Sequence, residues 1–191
     1  MSHRTHSGTS RPHFGKGTAP GMDANLLGIY LNDHLAGATA GVDRVRHLAR
    51  SCRGTAFAPA VEELAAEIAQ DRRSLTELME QLNVQTRRYK VWAGWATEKA
   101  GRLKGNGRLV RRSPLSTLIE LEVLRVGVSG KRAVWQTLRR LCDSEEGLDP
   151  HLLDDLARRA DGQLRTLEEL HLRQVPTTFR TPDRTSSGAR G

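Results

Sequence analysis

The chain has 191 residues and a formal charge of +8, and its length suits one domain with its own core better than two. Leucine and alanine are abundant, aromatic residues are few and β-branched runs are absent, which favours an all-helical fold. Because no apolar run reaches the ~20 residues of a membrane span or has the pattern of a signal peptide, we expect a cytoplasmic protein.

Residues 1–22 are predicted to form a disordered basic tail. They are rich in Ser, Thr, Gly, Pro and His and have no hydrophobic period. Residues 176–191 have a similar composition and are predicted to form a second disordered tail. Met22 directly precedes the first helical pattern, which leaves both Met1 and Met22 as candidate start sites.

The first two helices are predicted over residues 23–51 and from Pro59 to about Leu82. Asp23 suits the N-cap of the first helix, and Pro59 occupies a first-turn position where proline is tolerated. The apolar line of the second helix passes through Asp71. We therefore expect a carboxylate on its buried face.

Gly37 and Gly41 lie within the sequence AGATAG of the first helix. This spacing predicts that another backbone or a bulky ring packs closely against the helix, although each glycine costs about 1 kcal/mol in helix propensity. A space left for a ligand is the alternative interpretation.

Residues 83–113 form a basic connector between two helical hairpins, with a predicted helix of its own from about Gln85 to Lys104. Nine cationic side chains stand against one acid, Glu98, so the connector carries +8, the formal charge of the whole chain. Its apolar side chains form one helical stripe. That stripe contains Tyr89, Trp92, Ala96, Ala100 and Leu103.

The connector has two interpretations, which the sequence leaves open. Its cations and rings could neutralise phosphates and pack on bases or lipid headgroups. Alternatively, the stripe packs on the helices and the cations face water or pair with the acids of the helices. The residues predicted to contact an anionic partner are Arg87, Arg88, Lys90, Lys99, Arg102, Lys104, Arg108, Arg111, Arg112, Trp92 and Trp95.

The third helix is predicted to begin at Pro114, after the N-cap Ser113, and to extend to about Cys142. It is apolar nearly all round, so we expect it to be the most buried helix. Asp149 gives the same cap signal for a fourth helix that runs to about Val175, where Pro176 is predicted to end it.

Two hairpins joined by a 31-residue connection have the plan of ferritin-like bundles. The phrases LNDHLAG, SPLSTLIELE and RADGQLRTLEELH resemble those of a group of uncharacterised bacterial proteins with such a bundle. The resemblance covers residues 23–175 and implies an all-α, ferritin-like antiparallel four-helix bundle. It brings no known activity with it.

A metal site is suggested by part of the ferritin-like pattern, in which two helices each supply a Glu and two others each supply Glu-x-x-His. One such motif, Glu168-x-x-His171, is present, and a second is missing. The candidate ligands for iron or manganese are Glu122, Glu168, His171, His34, Asp71 and Glu67. In the structural alternative, His34, Asp71 and His171 are buried polar groups paired with neighbours such as Arg125, Lys131 or Gln163.

Other catalytic patterns are absent from the sequence. Glycine-rich phosphate loops need a preceding strand, and none is evident. Cys52 and Cys142 lack disulfide or zinc spacing and a neighbouring His, so we expect them to pack near helix ends.

The sequence therefore predicts a non-enzymatic bacterial protein without a cofactor. We expect it to bind an acidic partner, with nucleic acid among the candidates, through its connector and tails. The alternative is a carboxylate/histidine metal-binding protein or oxidase with a degenerate dimetal site. The oligomeric state is left open.

Overall fold

A computed structural model describes residues 23–86, 113–142 and 147–180. Within these ranges the chain forms four helices and no strand. The helices are α1 (Ala24–Ser51), α2 (Ala58–Gln81), α3 (Pro114–Leu141) and α4 (Pro150–Phe179). They pack together around one core, which confirms the all-helical prediction. The predicted tail 1–22, connector residues 87–112 and residues 181–191 lie outside the described residues.

Three predicted helix starts are confirmed by their caps. The side chains of Asp23, Ser113 and Asp149 each accept a hydrogen bond from a backbone N–H of the following turn, at 3.0, 3.3 and 2.9 Å. These bonds satisfy donors that have no partner within the helix. None of the helices in the described ranges is long and apolar enough to cross a membrane.

The core consists mainly of leucine and valine side chains from all four helices. α1 packs on both α2 and α3, α3 packs closely on α4, and α2 touches α4 only sparsely. Burying each such side chain stabilises the fold by about 1.5–3 kcal/mol. Fully buried members include Leu31, Val45, Leu48, Val61, Leu121, Leu138, Leu153 and Leu167.

Contacts between α1 and α3 define which residues of the two helices face each other. The hydroxyl oxygen of Tyr30 lies 3.2 Å from Oγ1 of Thr137. Nε2 of His47 lies 3.8 Å from Oε1 of Glu120. The early residues of α1 therefore contact the late residues of α3, and the late residues of α1 contact the early residues of α3.

Pro176 does not end α4, because the helix continues to Phe179. Proline removes one helical hydrogen bond and crowds the preceding turn. Contacts with the start of α3 hold the last turn in place: Nε2 of Gln174 and Oγ1 of Thr178 donate to the carbonyl oxygen of Pro114 at 3.1 and 3.3 Å. The predicted boundary at residue 176 therefore falls inside a helix.

The expectation that α3 is the most buried helix is also wrong, because α2 has seven buried residues out of 24 and α3 has seven out of 28. Val126 is 74% exposed, and Leu115 and Val123 are 45% and 43% exposed. The reason is that α3 packs closely on only two helices, α1 and α4, which leaves one face outside the core.

Close packing on Gly37 and Gly41 is not found among the described residues. No described atom lies within 4 Å of the position that a Cβ would take at either glycine. On α3, Gly127 and Gly130 are open in the same way.

Candidate functional site

A buried ionic cluster joins α2, α3 and α4 around Asp71, whose side chain has no exposed surface. The apolar period of α2 places this carboxylate among leucines, as the sequence predicted. Nζ of Lys131 donates to Oδ2 of Asp71, and Nε of Arg159 donates to Oδ1 at 2.7 Å. Nε2 of Gln163 also donates to Oδ2, at 3.0 Å.

The cluster is internally satisfied. Lys131 donates to the amide oxygen of Gln163 as well as to the carboxylate, so the four side chains form one connected network. A buried carboxylate is costly unless cations and hydrogen bonds compensate it. Both oxygens of Asp71 accept from cationic donors, which makes this residue a structural anchor between helices.

Burial lowers the pKa of Lys131 from the ordinary lysine value, and the negative charge of Asp71 opposes this shift. The side chain of Lys131 is only 13% exposed, so its ammonium group has lost most of its hydration.

The interpretation of Asp71 as a buried group paired with Lys131 or Gln163 is confirmed. Sequence reasoning missed Arg159, which completes the cluster. The sequence does indicate this partner, because Arg159 precedes Gln163 by four residues and therefore lies on the same face of the helix.

An open groove of about 320 Å³ runs between α2 and α4 beside the cluster. Its lining is mostly charged and comprises Ala60, Glu63, Leu64, Glu67, Arg159, Gly162, Arg165, Thr166 and Glu169. At the end of α4, the guanidinium of Arg173 lies 4.9 Å from the ring centre of Phe57, at the start of α2. Arg159 belongs to both the groove and the cluster.

Two of the six candidate metal ligands are brought together. Nε2 of His171 lies 3.1 Å from Oε1 of Glu122. Glu168 instead pairs with Arg125, with 3.6 Å between Oε1 and Nη2. The Glu-x-x-His motif is therefore divided between two separate contacts.

The other three candidates have different surroundings. Asp71 is held in the ionic cluster, and Glu67 lines the groove. The ring of His34 packs edge-on against Tyr30 at 4.6 Å, and burial lowers its pKa while Asp33 opposes that shift. Among the described residues, no three His, Cys, Asp or Glu side chains gather as a metal site requires.

The two cysteines lie at helix ends, as predicted. Cys52 is buried at the end of α1, and Cys142 follows the last residue of α3, with its Sγ 3.6 Å from the carbonyl oxygen of Leu138.

All eleven residues predicted to contact an anionic partner lie in 87–112, outside the described ranges. The described residues contain 16 basic and 17 acidic side chains, a formal charge of −1. The positive surplus of the chain therefore lies in the other segments.

Comparisons of the chain with known protein families, curated proteins and solved structures find no match.

Proposed function

We propose that this protein is a non-enzymatic binding protein whose basic connector and tails contact an acidic partner, with nucleic acid as the partner class to test. The observation that carries the proposal is the distribution of charge. The described helices and turns carry −1, whereas residues 87–112 alone carry +8. A segment of that charge suits the neutralisation of several phosphates.

Several acids of the helices already have basic partners within the fold. Arg132 and Arg139 of α3 lie 2.6 and 3.2 Å from Asp161 and Asp154 of α4. Asp155 pairs with an arginine one turn away, and Asp71 contacts two cations. These internal pairs reduce the negative charge that the connector could match within its own chain, which favours an external acidic partner.

The proposal includes a ferritin-like arrangement in which α1 runs antiparallel to α2 and α3, and α4 runs antiparallel to α2 and α3. The contacts of Tyr30 with Thr137 and of His47 with Glu120 support this for α1 and α3. For α2 and α4, the contact of Phe57 with Arg173, near the start of one helix and the end of the other, supports it.

In this arrangement the connector returns along the length of the helices. Nδ2 of Asn32, near the start of α1, donates to the carbonyl oxygen of Gln85 at 3.0 Å, which fixes the beginning of the connector. Its end leads into α3 at Pro114, beside Gln174 at the end of α4. A helix of 20 residues spans about 30 Å, so the connector is long enough to present its cations along the whole bundle.

The test compares two variants of equal charge. In the connector variant, Arg87, Arg88, Arg111 and Arg112 are changed to Gln. In the matched control, four exposed arginines of the helices and their ends, Arg50, Arg53, Arg73 and Arg140, are changed to Gln. Affinity for duplex DNA is measured over a range of salt concentrations.

We expect the connector variant to bind more weakly. The magnitude of its slope of log K against log salt should be smaller than that of the wild type by up to about 3–4, since each lost phosphate contact reduces it by roughly 0.9. The control should keep most of the wild-type slope. Equal losses in both variants, or no loss in the connector variant, would overturn the proposal.

A further inference from the structure

We infer that the outer groove between α1 and α3 is the docking surface for residues 89–103 of the same chain. These residues belong to the connector and lie outside the described ranges. The inference rests on the antiparallel arrangement in the proposed function. It specifies which surface the apolar side of the connector contacts, and therefore in which direction its cations point.

Four glycines leave open space on α1 and α3 and form the floor of the groove that we propose. A Cβ at Gly37, Gly41, Gly127 or Gly130 would meet no described atom within 4 Å. Glycines one turn apart on two neighbouring helices leave a shallow depression, and such positions admit close approach of another backbone or a ring.

Two contacts place these glycines opposite each other. Tyr30 and His47 are 17 residues apart on α1, and their partners Thr137 and Glu120 are also 17 residues apart on α3. The two helices therefore keep one register between these contacts. All four glycines lie within that interval, at matching heights.

The surface of α3 beside these glycines contains exposed apolar side chains. Val123 and Val126 of α3 are 43% and 74% exposed, and Leu115 continues this surface at 45%. Contiguous apolar side chains on a surface mark an interaction site when a suitable partner exists.

The described part of the connector already lies on α1. Asn32 donates to the carbonyl oxygen of Gln85, and Cγ1 of Val84 lies 3.9 Å from the position of a Cβ on Gly28. The chain leaves α2 on this helix and must reach Ser113, the cap of α3. The docking groove lies between the two helices that hold the ends of the connector.

The alternative route past α4 is chemically unsuitable for an apolar stripe. The groove between α2 and α4 is lined by carboxylates and guanidinium groups, including Glu63, Glu67, Arg159 and Arg165. An indole ring placed there would remove charged groups from water without replacing their hydrogen bonds.

The proposed occupant matches the exposed valines and glycines of α1 and α3 in polarity. Tyr89, Trp92 and Leu103 supply apolar bulk, while Ala96 and Ala100 allow close approach to the glycine floor. Docked by this stripe, the segment directs its cations away from the helices, where an acidic partner can reach them.

Limited digestion with trypsin tests the docking without any nucleic acid. The full chain is digested, and cleavage after each basic residue of 87–112 is timed by mass spectrometry, with a free peptide of residues 83–113 as reference. Val126→Asp places a charge in the groove. Leu172→Asp places the same charge on α4 at a residue that is 63% exposed and lies elsewhere.

We expect the connector of the wild-type protein to be cut about tenfold more slowly than the peptide, since proteolysis follows the undocked population. V126D and Trp92→Ser should raise the rate severalfold, whereas L172D and Trp92→Phe should leave it unchanged. Cleavage of the wild-type connector at the peptide rate, or equal effects of V126D and L172D, would overturn the docking. Because no partner is present, this result is independent of the DNA-binding test.

Discussion

Nε of Arg159 on α4 lies 2.7 Å from Oδ1 of Asp71 on α2, and this contact joins two helices that otherwise touch only sparsely. On its other oxygen, Asp71 accepts from Lys131 of α3. One buried carboxylate therefore connects three helices. An ionic contact of this kind has one acceptable geometry, whereas leucine side chains pack in many, so we expect it to fix how the helices align.

The substitution Asp71→Asn should lower the free energy of unfolding by roughly 3–5 kcal/mol, because it leaves two cations in the core without their anion. Chemical denaturation at neutral pH measures the change. Asp155→Asn is the matched control, since Asp155 is 64% exposed beside Arg158. Its effect should stay within about 1 kcal/mol. Similar small effects of both variants would contradict a stabilising role for the cluster.

The stability of the protein should depend on pH through Lys131. Burial lowers the pKa of its ammonium group, so above that lowered pKa the unfolded chain holds more protons than the folded chain. Stability contributed by this residue therefore rises with pH until about 10.4, the ordinary lysine pKa.

The comparison of wild type with Lys131→Met isolates this contribution from other titrating groups. We expect the difference in unfolding free energy, wild type minus variant, to increase as the pH rises through the alkaline range toward the ordinary lysine pKa of about 10.4. A difference that stays constant or falls across this range would contradict the lowered pKa.

The docking of the end of α4 on the start of α3 should stabilise the fold. Gln174→Ala removes the buried amide that donates to the Pro114 carbonyl at 3.1 Å, which should cost about 1–2 kcal/mol in thermal or chemical unfolding. The control is Gln136→Ala, at an exposed position of α3. An equal effect at both glutamines would show that the contact contributes nothing.

Glycine substitutions on the two sides of the molecule should change the free energy of unfolding by different amounts. A Cβ at Gly162 of α4 would lie 3.8 Å from the flexible end of Arg165, an ordinary contact. Gly162→Ala should therefore raise the free energy of unfolding by about 0.5–1 kcal/mol through helix propensity. Gly130→Ala should give less or none of this gain, because its methyl group would occupy the proposed docking surface. Equal gains would indicate that Gly130 faces only water.

The helices could be predicted closely from local chemistry. Asp23, Ser113 and Asp149 cap three helices because their side-chain oxygens reach backbone donors of the next turn, a relationship contained within a few residues. Pro176 was misjudged because its helix is completed by Gln174 and the distant Pro114. Local propensity carries no information about such a contact.

The site could be predicted only in part, for the same reason. Periodicity placed Asp71 on the buried face of α2. Lys131 and Gln163, which contact it, were among the neighbours expected for the buried polar groups, whereas Arg125, also expected, pairs with Glu168. Arg159 escaped notice because it is partly exposed and an arginine on a polar helix normally faces water. The exposed Val126 was missed because apolar composition alone does not say how many neighbours a helix has.

The central claim, that the positive surplus of the chain serves to bind an acidic partner, is tested most directly by the salt dependence of DNA binding. The affinity of the full chain for a short duplex is measured between about 50 and 200 mM salt. If the connector contacts about four to eight phosphates, log K should fall against log salt with a slope of about −4 to −7. Failure to bind at the lowest salt, or a slope near zero, would contradict the claim.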